Sequence, residues 1–138
     1  MNISRFYEPH KQFFNTALSE INAGRKQSHW MWYIFPQLKT LGYSSTAVYY
    51  GIENTEEAKK FYNDGYLGEN LRVICRALLE CKSNDPLEIL GYPDNLKLCS
   101  SMTLFYHSTK DELFSDVLQK FYNGKQDALT LNQITSQN

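Results

Sequence analysis

The chain has 138 residues, enough for one ordinary domain with a full core that needs no disulfide or metal to hold it. Hydrophobic residues make up 42% and aromatic residues 14%, which excludes disorder, while 14 basic against 15 acidic side chains leave a formal charge of −1 and no whole-protein field to attract nucleic acid. No apolar run approaches the roughly 18 residues of a transmembrane helix, and the opening MNISRFYEPHKQFF lacks the apolar segment of a signal peptide, so the expected location is the cytoplasm, with no membrane partner.

In chain order, Phe13, Phe14, Ala17, Leu18 and Ile21 recur at the three-and-four spacing of a helix face, and Gly24 stands where such a helix should end. His10, just after Pro9, is expected to be exposed at its beginning. Ser28 can cap a second helix, which Pro36 should keep short or kinked, because helical geometry is disfavoured at the residue before proline. Ser44 to Thr46 offer caps for a short helix through Tyr50, and Asn54 or Thr55 for one carrying Glu56, Glu57, Ala58 and Phe61. Leu71, Ile74, Cys75, Leu78 and Cys81 form one stripe, with Gly68 marking its approach. Asp85 and Pro86 pair an N-cap with an N1 proline.

Asp94 or Asn95 then opens LKLCSSMTLFY, with Leu98, Met102 and Phe105 on one face. Ser108 and Thr109 precede Asp111 and Glu112 in capping-box registers ahead of a long apolar face from Leu113 to Tyr122, stopped by Asn123 and Gly124. DALTLNQI should add one or two turns, and TSQN should fray. No pattern alternates as a strand does, so the fold class is all-α, one compact domain over 1–138 with about seven or eight short-to-medium helices. Cys75, Cys81 and Cys99 match helix-face positions rather than a CxxC or zinc pattern, and are expected unpaired and mostly buried.

GRKQSHWMWYIFPQL with LGYSSTAVYYGI, and later DNLKLCSSMTLF with FYNGKQDALTL, resemble the small bacterial family catalogued as domain of unknown function 1810, over nearly the whole chain. The resemblance implies a small, mainly helical single-domain protein. It implies no activity and no catalytic set, and nothing in the sequence supports the name calpastatin sometimes given to such proteins.

The chemistry is densest from Arg25 to Trp32, where Arg25, Lys26, Ser28 and His29 abut both tryptophans of the chain. One explanation is structural: Trp30, Met31, Ile34 and Phe35 are core, and the cations favour the end of the first helix. The other takes Arg25, Lys26, Ser28 and Trp32 as one wall of a ligand site, with a guanidinium and an ammonium for phosphate, Ser28 opening a helix N-terminus for an anion, an indole for stacking, and His29 as general acid or base. Trp30 and Trp32 lie about 200° apart on a helix, so Trp30 is assigned to the core and Trp32 to the site.

A second polar strip, Lys97 with Ser100 and Ser101, stands one turn apart on an otherwise apolar helix and could join the same site or simply face solvent or pack closely. Motifs for a metal, pyridoxal phosphate, a flavin or a classical dinucleotide are absent, and no carboxylate pair suggests acid–base work of the glycosidase kind. Two readings follow. One is a domain binding a phosphorylated or nucleotide-like metabolite between 25–32 and 97–101; the other is a noncatalytic module meeting a protein partner through exposed Trp, Tyr and Arg. Nucleic acid is not favoured, for want of a basic surface interleaved with aromatics.

Overall fold

A computed structural model describes residues 2–137. A 3₁₀ turn, Ile3–Phe6, leads into α1, Tyr7–Asn22. Then follow α2, Met31–Ile34; a 3₁₀ turn, Lys39–Leu41; α3, Ser45–Tyr49; α4, Thr55–Asn63; and α5, Leu67–Glu80. The chain continues through α6, Pro86–Leu90; α7, Asp94–Thr109; α8, Glu112–Tyr122; and α9, Ala128–Gln137. Among the described residues the one β-type pairing is a parallel bridge between Leu38 and Ile52, which ties the loop after α2 to the segment before α4. The class is all-α, with nine α-helices among the described residues rather than seven or eight.

The ninth helix is the segment expected to add a turn or two. Asp127 receives the N–H of Thr130 at 3.0 Å and its hydroxyl at 2.6 Å, and Thr130 and Ile134 are buried, so capping and burial extend α9 over Thr135 to Gln137. Asn138, the end of the stretch expected to fray, lies outside the described residues.

Most other caps fall where the sequence puts them: Ser44 accepts from Ala47 N, Asn54 from Glu57 N, and Asp85 from Leu87 N ahead of its proline. Two do not. Helix α2 starts at Met31 behind Trp30, which makes no side-chain cap, so Ser28 opens no helix. Ser108 and Thr109 finish α7, their hydroxyls turned back to the carbonyls of Leu104 and Phe105 at 2.7 Å, and Asp111 caps α8 instead through Leu113 N.

Helix α7 is the central element, packed against α4, α8, α9 and α6, while α1 lies on α5. Its apolar residues do not form one stripe: Leu98, Met102, Leu104 and Phe105 are buried, and so are Ser100, Ser101, Thr103 and Ser108, as for a helix surrounded on all sides. Phe6, Phe61, Phe105 and Phe114 form a chain of ring contacts through the core, with centroids 4.9 to 5.6 Å apart. Cys75 is buried, Cys81 and Cys99 are half-buried, and all three are free thiols.

His10, expected to be exposed, is buried to 1% exposure. Its Nδ1 accepts from Asn70 Nδ2 at 3.0 Å, which leaves Nε2 to donate to the Tyr33 carbonyl at 2.7 Å. Burial, opposed by that carbonyl, lowers its pKa to about 4.

Candidate functional site

The loop from Gly24 to Trp30 is built on Glu20. Gly24 leaves α1 with φ of 81°, and the chain then curls over the Glu20 carboxylate. Oε1 accepts from the backbone N–H of Gln27 at 2.8 Å, from that of Ser28 at 3.0 Å and from the indole N–H of Trp30 at 2.8 Å, and Oε2 accepts from the Ser28 hydroxyl at 2.5 Å. Burial pushes the carboxyl pKa up, but these donors outweigh it and hold it down at about 2. The anion-binding character expected at Ser28 exists, and an internal carboxylate satisfies it. Ser28 therefore has neither N–H nor hydroxyl to offer a ligand.

Glu20 also fixes Trp30. Trp30 is fully buried with its indole N–H on Glu20, and Trp32 is half-buried two residues on. The Lys26 N–H donates to the Ile89 carbonyl at 2.7 Å, which draws the loop against α6. Between this loop and the start of α7 lies a cleft of about 320 Å³, with Lys26, His29, Met31 and Trp32 on one side and Leu90, Tyr92, Pro93, Asp94 and Lys97 on the other. Gly91, at φ of 78°, swings the chain out of α6 and leaves Tyr92 75% exposed at the rim.

The charges of the cleft are organised by Asp94. Lys26 Nζ lies 2.8 Å from Asp94 Oδ2 and 5.1 Å from the centroid of the Trp30 ring, with its side chain only 8% exposed. Lys97 Nζ lies 3.9 Å from Asp94 Oδ1 and is more open to solvent. The exposed His29 ring stands 6.5 Å from that of Trp32. Of the residues that sequence proposed as one site, Lys26, His29, Trp32 and Lys97 line this cleft. Arg25 is exposed outside it. Ser100 and Ser101 are within the helix packing, with the Ser100 hydroxyl on the Leu96 carbonyl and that of Ser101 without a partner, because the polar strip faces neighbouring helices rather than the cleft.

Sequence reasoning missed Tyr92 and Asp94 as cleft residues, and Glu20 as the acceptor that holds the loop over 24–30. Glu20 left one signal: it is an acid in the last turn of α1, where the helix dipole disfavours it. Arg5 left none. It lines a wider depression of about 580 Å³ with Lys39, Val48, Tyr49 and Glu57, but its guanidinium is fully engaged. It pairs with both Glu57 oxygens at 2.9 and 3.2 Å and donates to the carbonyls of Asn2, Tyr49 and Gly51. That depression is the outer side of a structural clasp.

Among the described residues no three His, Cys, Asp or Glu side chains are grouped so as to hold a metal ion, and no helix is long and apolar enough to cross a membrane. No curated protein matches the chain. The conserved hypothetical protein Rv1873 from Mycobacterium tuberculosis is similar in structure, with a TM-score of 0.93 and 39% identity, the match covering 95% of this chain and 94% of that one. The model of the family described as a protein of unknown function, DUF1810, matches residues 1–134, and the chain belongs to that family.

Proposed function

We propose that this protein is a bacterial cytoplasmic domain that binds a small phosphorylated aromatic or nucleotide-like metabolite in the cleft between Lys26–Trp32 and Lys97, with His29 exchanging a proton with the ligand. The observation that carries this reading is the convergence of two ammonium groups, a histidine and an indole, drawn from sequence-distant segments, on one concavity of ligand size. Trp32 and Tyr92 supply flat surfaces for a ring, and Lys97 supplies the more accessible charge for a phosphoryl group. The unpaired thiols fit a reducing compartment. The test is a thermal-shift screen of nucleotides and sugar phosphates, in which a compound at 100 times its Kd adds about 2.7 kcal/mol of stability. Trp32→Ala and Lys97→Ala should abolish the shift, and a screen in which no phosphorylated compound stabilises the protein would remove this reading.

A second reading, docking of a protein partner, is favoured by Tyr43, Val48 and Tyr49, all exposed around α3 and the turn before it. A partner bound there should release on Tyr43→Ser with Tyr49→Ser and be unaffected by Trp32→Ala.

A further inference from the structure

The cleft contains one acid among its bases, and that acid bears on which phosphorylated compounds it can accept. Asp94 stands at the first position of α7 with one carboxylate oxygen towards Lys26 and the other towards Lys97. Lys26 is the better paired and the less exposed of the two, so its charge is already answered within the protein, by Asp94 and by the face of Trp30. The two lysines and Asp94 together carry a single surplus positive charge. A single phosphoryl group, with up to about two negative charges near neutral pH, already uses all of that surplus when set against Lys97. A second phosphoryl group linked to the first adds negative charge for which the cleft holds no further unpaired ammonium, and on the Lys26 side it meets the Asp94 carboxylate.

Resting on the reading above, we propose that the ligand carries one phosphoryl group, as a nucleoside monophosphate does, and that Asp94 is the residue that rejects polyphosphates. Like charges brought together out of bulk water repel strongly enough to discriminate between ligands that are otherwise alike. The size of the cleft agrees: about 320 Å³ is near the lower end of ligand sites, room for one ring system and one phosphoryl group. Asp94 acts here on specificity, and no bond is made or broken by it.

The experiment titrates the protein with adenosine and guanosine 5′-monophosphates and the corresponding 5′-triphosphates at one fixed ionic strength. Wild type should prefer the monophosphates by about tenfold. Asp94→Asn should bring that ratio to about one by strengthening triphosphate binding, an outcome that a purely structural role for Asp94 would not produce. Because Asp94→Asn leaves Lys26 without its partner, the variant Lys26→Met/Asp94→Asn removes the pair together and should lose the preference in the same way. Monophosphate binding with an unchanged ratio in both variants, or a wild type that prefers triphosphates, overturns the inference and leaves the proposed function standing. A wild type that binds none of the four probes overturns the inference, while the wider screen still decides the proposed function. If neither variant folds, the same titrations of wild type decide by the sign of its preference alone.

Discussion

Trp30 and Trp32 are two residues apart and have opposite fates, which makes them the clearest test at the scale of single side chains. Trp30→Ala should cost about 3–5 kcal/mol, since it opens a cavity in the core and removes the indole hydrogen bond to Glu20. Trp32→Ala, at a half-buried wall, should cost about 1 kcal/mol or less. Urea unfolding of the two variants checks both, and equal losses would contradict the assignment. The separation of the pair was legible in the sequence, because a helical angle between neighbours in one turn needs no tertiary knowledge. The route was only partly right, since Trp30 precedes α2 and owes its burial to Glu20 as much as to helical phase. Lys26 was legible as a cation but not as half of an ion pair, because Asp94 is distant in the chain and no local pattern links them.

Among the elements, those with a clean stripe and a polar cap were readable: Leu71, Ile74, Cys75 and Leu78 of α5 are all buried as their spacing implies. Helix α7 was harder because it is buried all round, so Ser100 and Ser101 read as a polar face when they are small residues packed among helices. Gly68 shows a similar limit. The sequence suggested that it marks the approach to α5, whereas it is the second residue of that helix and touches α4. A Cβ there would lie 1.9 Å from the Tyr62 carbonyl oxygen, an atom of the backbone that cannot step aside. Gly68→Ala, normally favourable in a helix, should instead destabilise the protein by about 3 kcal/mol in a denaturant titration. A neutral or stabilising result would mean that α4 and α5 are not packed so closely.

For the molecule as a whole, His10 sets how stability responds to mild acid. In the folded protein it takes a proton only near pH 4, held back by burial, whereas in the unfolded chain it does so near its ordinary value of 6.5. Between those values the unfolded state binds more protons, so stability rises with pH across the window, and acidifying through it should remove about 3 kcal/mol. His10→Gln, which can still donate to the Tyr33 carbonyl and accept from Asn70, should flatten the slope in unfolding curves taken from pH 4 to pH 7. Glu20 acts lower on the scale: its lowered pKa gives stability that is present above the ordinary carboxylate value of 4.5 and lost as the pH falls towards about 2. The claim that joins fold to function is that the cleft beside Trp32 binds a ligand while Trp30 remains in the core. It is tested most directly by following the two indole N–H signals in a nitrogen–proton correlation spectrum during titration with the nucleoside 5′-monophosphates. The Trp32 signal should move and saturate with the thermal shift while that of Trp30, bound to Glu20, stays in place. Saturable stabilisation with the Trp32 signal unmoved, or with only Trp30 responding, would contradict it.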